Sequence, residues 1–207
     1  MKENPTFEQD LASIHKLMER SVKFISLSGF SGMLSGVYAL IGAGAAYYLI
    51  QYPGSFFESY SYSSLDKGVQ SELFIIALIV LIASLTTGLW LSARKARQMG
   101  AKIWDVTGRR LFFNLSVPLF TGGLFILICA WNGYYEIIPG VCLIFYGLAL
   151  LNASPNLFDE VRYLGYLEII LGLISTAVPG YGLVFWSLGF GILHIIYGAA
   201  MYRKYDS

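Results

Sequence analysis

Charge is what this sequence has least of: 14 Lys and Arg and 13 Asp and Glu among 207 residues, or 13%. Soluble domains carry about 25%. With 56% of residues hydrophobic, too few polar side chains remain to cover a soluble core. The same shortage excludes disorder, which needs low hydrophobicity and high net charge. A net charge of +1 offers no global attraction to nucleic acid, which is therefore not expected as a partner. Two cysteines and two histidines are too few for a disulfide framework or a metal centre. Cys129 and Cys142 lie in apolar runs, where a thiol acts as a small hydrophobe. No glycine-rich phosphate loop, nucleophile elbow or metal-ligand spacing occurs, so neither an enzyme nor a metal or cofactor is expected.

What the chain does have is long uncharged runs. About 20 apolar residues cross a bilayer as a helix. Phe24 to Ile50, Leu73 to Ala93, Leu111 to Trp131 and Ile137 to Leu157 each meet that length. The run from Tyr163 to Tyr202 is too long for one crossing and is divided at Pro179-Gly180, a dipeptide that breaks helices and favours a turn. The expected fold is therefore all-α: a polytopic bundle of six transmembrane helices, at about 24–50, 73–93, 111–131, 137–157, 163–178 and 181–202, with a tail over 203–207.

Basic residues orient it. Lys2, Lys16, Arg20 and Lys23 precede the first span; Arg94, Lys95, Arg97, Lys102, Arg109 and Arg110 separate the second and third; Arg162, Arg203 and Lys204 follow later ones. With six spans all of these fall on one side, and only Lys67 on the other. Positive charge marks the cytoplasmic side, so both termini are expected there. Tyr and Trp rings cluster near the span ends, as headgroup anchors do.

Residues 1–23 form a cytoplasmic segment whose part from 6 to 23 predicts an amphipathic helix. Thr6 and Gln9 suit a capping box, and Phe7, Leu11, Ile14, Met18 and Val22 form a stripe at three- and four-residue spacing. It lies either on the membrane surface or against a partner. Within the spans, Gly140 and Gly191, Gly147 and Gly198, and Ala149 and Ala200 recur at an offset of 51. Similar Ser or Glu positions follow the basic starts of the odd spans, and the pattern suggests three tandem hairpins. Ser28, Gly32 and Gly36 recur every four residues, a spacing that lets helix backbones approach.

Glu168 is the one acidic residue inside a span and His194 the one histidine. A charge in a bilayer is costly, so such a residue faces the interior, pairs or protonates. Measured from Arg162, Glu168 falls in the cytoplasmic third, within a helical turn of His194 on the neighbouring span. Ser28, Ser116, Asn114, Thr86 and Thr87 occupy the same third. Together they outline a candidate polar cavity open to the cytoplasm, with interhelical hydrogen bonding as the structural alternative. One histidine cannot give a haem two axial imidazoles. Arg94, Lys95, Arg97, Lys102, Arg109 and Arg110 either serve as the topology signal alone or also contact anionic lipid headgroups.

The stretch Glu19-Arg20-Ser21-Val22-Lys23-Phe24-Ile25-Ser26-Leu27-Ser28-Gly29-Phe30-Ser31-Gly32 resembles an uncharacterised family of bacterial six-span membrane proteins. The hairpin layout is more loosely similar to the acid-resistance inner-membrane protein family. These resemblances imply a bacterial inner membrane and no catalytic residues. The expected function is that of a membrane protein acting through self-association, a partner or lipid. The alternative is a small transporter or channel built around Glu168 and His194.

Overall fold

The computed structural model describes residues 28–50, 54–98, 100, 104 and 106–206. The amphipathic helix expected over 6–23, and Lys102 of the basic loop, lie outside them. Among the described residues every regular element is helical. The long helices are α1 (Gly29–Ile50), α2 (Lys67–Gln98), α3 (Val106–Trp131), α4 (Ile138–Ala153), α5 (Asp159–Ala177) and α6 (Gly182–Tyr205). Five are long and apolar enough to cross a membrane. The sixth, α5, has 19 residues, but Asp159, Glu160, Arg162 and Glu168 make it too polar to join them.

Local chemistry sets the boundaries. α3 ends in a Schellman motif: Gly133 takes φ +78°, its N–H bonds the Ala130 carbonyl, and the Tyr134 N–H bonds that of Cys129. Pro139 occupies the first turn of α4, where its missing N–H costs nothing. α4 stops at Ala153, four residues before the expected Leu157, because Ser154-Pro155-Asn156 tightens into a 3₁₀ turn. α5 starts at Asp159, four residues before the expected Tyr163. Asp159 and Glu160 suit the positive end of a helix even though they would end an apolar span. The expected turn at Pro179-Gly180 is present, with Gly180 at φ +94°.

Helix pairing departs from three tandem hairpins. The closest partner of α5 is α4, and that of α6 is α1; α2 packs on α1 and α3 on α4. Both close pairs are antiparallel seams of glycine. A Cβ at Gly140 would lie 2.7 Å from the Gly172 carbonyl oxygen, and one at Gly172 2.7 Å from that of Gly140. Gly147 meets the Gly165 carbonyl in the same way at 2.6 Å. The α1–α6 pair repeats the design with Gly36 against the Gly191 carbonyl at 2.6 Å and Gly29 against that of Gly198 at 2.7 Å. In all four helices the two glycines stand seven residues apart, two turns along one face. The offset of 51 thus relates α4 to α6 as the even members of two similar pairs.

One end of the bundle is closed by the α1–α2 connection. The Tyr60 N–H bonds the Gly180 carbonyl at 3.0 Å. Ser61 Oγ and the Ser63 N–H both donate to Glu136 Oε1, at 3.0 and 3.1 Å. This is the loop end. At the opposite, basic end, Lys204 and the Tyr205 hydroxyl reach Glu160, and the Phe158 and Tyr205 rings stack at 4.1 Å. The Glu160 carboxyl feels opposing effects: burial raises its pKa, and the hydrogen bond from Lys204 with Lys204's charge brings it below the usual value.

Because the seams leave no room for a methyl group, Gly147→Ala should lower stability by about 1–3 kcal/mol, the usual cost of overpacking. Gly123→Ala, at a glycine with nothing within 4 Å of its would-be Cβ, should be tolerated. Thermal unfolding of both variants in detergent checks the contrast; equal melting temperatures would show that the seams are not tight.

Candidate functional site

Glu168 stands nine residues from either end of α5, about 14 Å along the axis. His194 stands near the middle of α6. The pair therefore sits at mid-height in the bundle rather than in the third nearest the basic end. The difference arises because α5 begins before Arg162 and α6 continues past Arg203.

The surroundings are built from four helices. Glu168 is three residues past Gly165 on the α5 seam, and His194 three past Gly191 on that of α6. The corresponding positions of α4 and α1 hold Leu143 and Gly32. Glu168 is 0% exposed and His194 6%. Glu168 Oε1 lies 3.4 Å from His194 Nδ1, yet neither carboxyl oxygen accepts a hydrogen bond among the described residues. The reason is visible at the imidazole. Nδ1 faces the Gly189 carbonyl at 3.0 Å, and Nε2 faces the Tyr146 hydroxyl at 2.8 Å. Tyr146 and Phe190 also pack their rings against His194, with centroids 5.2 and 5.9 Å away.

The backbone makes room for this arrangement. α6 is α-helical over Gly182–Trp186 and π-helical over Ser187–Leu193, before returning to α at His194–Met201. π-turns are rare and concentrate at functional sites. Gly189 lies within this one, and a Cβ there would come within 2.5 Å of Glu168 Oε2. Any larger residue would expel the carboxyl group.

The other expected polar residues are not gathered around this pair. Thr86 is exposed and donates to Ile82 of its own helix. Thr87 pairs with Tyr38 at 3.3 Å. The Asn114 carbonyl accepts from Asn152, Ser116 is half-buried on α3, and the Ser28 carbonyl accepts from Ser31 at the start of α1. Gly32 and Gly36 face α6, where Gly32 lies against the backbone of Gly198. Among the basic residues, Arg94 and Arg97 are exposed and Lys95 half-buried near the end of α2. Arg109 and Arg110 line a surface groove of about 330 Å³ with Phe113 and Asn114. A second groove, about 310 Å³, is apolar and lined by residues from Leu124 to Asn132 of α3 and its cap. Neither is lined by Glu168 or His194.

Three contributors were not legible in advance. Tyr146 and Gly189 adjoin the Gly147 and Gly191 of the repeat, so their positions carried a signal whose meaning depended on knowing the pairing. Tyr62 belongs to a Tyr-rich loop and carried none. Its side chain is buried, and its hydroxyl accepts the Leu183 N–H at 2.8 Å at the start of α6. Burial pushes that hydroxyl from 10.0 up to about 12, with the Leu183 bond opposing and the Glu136 charge adding to the rise. No known protein family, curated protein or solved structure matches the chain.

A tyrosine whose hydroxyl is held neutral by folding contributes stability below its unfolded value, and that contribution disappears as pH rises through the folded one. Unfolding followed between pH 10.0 and about 12 should therefore show declining stability. Tyr62→Phe should flatten that decline and cost about 1–3 kcal/mol at neutral pH by leaving the Leu183 N–H unbonded. An unchanged alkaline profile in the variant would remove Tyr62 from this role.

Proposed function

We propose that this chain is an integral membrane protein that crosses the bilayer six times, with α5 as the additional crossing. The loop end then faces away from the cytoplasm, and the basic end and both termini face it, in a bacterial inner membrane. Support comes from the basic residues, which under this count leave only Lys67 on the opposite side. α5 gains its place through its seam with α4 rather than through hydropathy.

Its activity is association rather than catalysis. The observation that carries this reading is where the apolar surface lies. None of the 18-residue apolar window of α2 is buried, and 11% of that of α3. Ile75, Leu78, Ile82, Leu85 and Leu89 of α2 are all exposed. These faces are available to lipid, a partner or a second copy, whereas the contact between Glu168 and His194 is closed off within the bundle. Arg109 and Arg110, at the basic end of α3, are placed to meet anionic headgroups. A second reading, a small transporter, is favoured by the π-turn and the unbonded carboxyl group at mid-height.

Single cysteines at Ser61 and Ser207 should label from opposite faces of sealed vesicles. Labelling from the same face would refute the six-crossing arrangement. Cysteines at Leu78 and Ile82 should cross-link between copies if α2 is a self-association face. Monomeric mass in nanodiscs, with no cross-link on α2 or α3, would leave lipid or another protein as the partner.

A further inference from the structure

The unbonded carboxyl of Glu168 is the least compensated group in the bundle. Between the spans' basic and acidic ends, α1, α2, α3, α4 and α6 contribute no Lys, Arg, Asp or Glu. The titratable groups on the elements packed against α5 are Cys142 and Tyr146 from α4, His194, Tyr197, Tyr202, Arg203, Lys204 and Tyr205 from α6, and Tyr135 and Glu136 from the turn at the loop end; of these, His194 lies against the carboxyl group. Glu136 accepts from Ser61 and Ser63 at Oε1, while its Oε2 is buried without a partner among the described residues.

The hydrogen-bond partners of His194 indicate where its ring hydrogen sits. A carbonyl can only accept, so His194 Nδ1 carries the hydrogen it shares with Gly189. Nε2 of a neutral ring is then the bare nitrogen, and the Tyr146 hydroxyl donates to it. In that state an ionised Glu168 leaves one uncompensated negative charge with no donor, at mid-height in an apolar bundle, a costly arrangement. A single added proton makes the set neutral, whether it rests on the carboxyl group or on Nε2 with Tyr146 as acceptor. A metal cation would require several oxygen ligands, and the Gly189 carbonyl already serves His194.

The two halves of the bundle differ in what lies along the way. On the basic side, Leu111, Leu150, Leu157 and Leu164 form one buried apolar cluster, with Leu193 and Tyr197 packed on it. On the loop side stands Ser175, seven residues beyond Glu168 on the same face of α5. It is 1% exposed, and its hydroxyl has no partner among the described residues. Ser187 stands seven residues before His194 at the start of the π-turn, and its hydroxyl donates to the Leu183 carbonyl at 2.6 Å. An unpartnered buried hydroxyl calls for a solvent or proton partner, and that of Ser175 lies on the loop side of the pair.

We infer that Glu168, His194 and Tyr146 form a binding site for one proton, which exchanges with the loop end of the bundle and not with the basic end. The inference rests on the reading of α5 and α6 as membrane-embedded, and it specifies the ligand of the transporter reading. The added proton forms an O–H bond on the carboxyl group, or an N–H bond at Nε2 with the Tyr146 hydroxyl turning from donor to acceptor, and is released by breaking that same bond.

Infrared difference spectroscopy of the purified full chain tests it, because a protonated carboxyl group absorbs apart from a carboxylate. A protonated-carboxyl band should titrate with pH, vanish in Glu168→Gln, and shift its midpoint in His194→Gln. If Glu168→Gln fails to fold, the His194→Gln shift carries the assignment. In vesicles of one orientation, the band should follow the pH on the loop side, and Ser175→Val should slow that response. Absence of both a protonated-carboxyl and a protonated-imidazole band throughout the folded range, bands that never respond to pH, or a midpoint that His194→Gln leaves in place would overturn the proton site. A response from the basic side would overturn the route. The detergent titration needs no sidedness, so a failed topology assignment and a failed proton site give different results.

Discussion

Everything in this bundle follows from the contact of bare helix backbones. Where Gly140 faces Gly172 and Gly147 faces Gly165, no side chain separates the two helices, and the same is true of Gly29 and Gly36 against Gly198 and Gly191. Among lipid tails there is little hydrophobic gain in bringing helices together, so close van der Waals approach has to supply the attraction. Glycine every seventh residue supplies it along one face. The cost is borne elsewhere: α2 and α3, which have no such seam with each other, leave their apolar surface on the outside.

The seams also explain why the polar pair is where it is. Glu168 and His194 occupy equivalent places, each three residues past a seam glycine, and so are carried to one level by the packing itself. Leu143 lies beside them near Gly189, and Gly32 holds the corresponding sequence position of α1. The two halves thus share a backbone arrangement while differing in chemistry. One position holds a carboxyl group, its counterpart holds only a hydrogen atom, and the local widening of α6 accommodates the difference. A polar group introduced at one member of a repeated set is a specific departure from an otherwise apolar pattern. Strain or widening of the helix at the same point marks where regular packing has given way.

Much of the fold could be read from the residues, and the reasons for the rest are specific. Long uncharged runs locate helices because a bilayer admits little else, and Pro179-Gly180 locates a turn because one residue cannot continue a helix and the other adopts φ +94°. Glu168 and His194 could be brought near each other from the shortness of that turn alone. Pairing was less accessible: glycines seven apart occur on α1, α4, α5 and α6 alike, and nothing in the spacing says which face meets which. Consecutive hairpins were the natural expectation, but the seams join α4 to α5 and α1 to α6. Glu168 stands further along α5 than the apolar run alone implies, because charges mark the edge of such a run whereas Asp159 and Glu160 lie inside the helix. The polar residues Thr86, Thr87 and Asn114 were grouped by height, but height does not determine which face of a helix a side chain occupies.

The pairing of α1 with α6 also sets an order of events during synthesis. α1 emerges well before α6, and its glycine face has no seam partner until α6 has been inserted. The α4–α5 seam, by contrast, closes between neighbours joined by only a few residues, so it can form early and locally. The Tyr62 loop is in the same position as α1, since its anchors at Gly180 and Leu183 belong to the last turn to be made. A growing chain therefore holds the glycine face of its first helix uncovered for most of its assembly, and a chain whose synthesis stopped before α6 would keep that face open although α2 is in place.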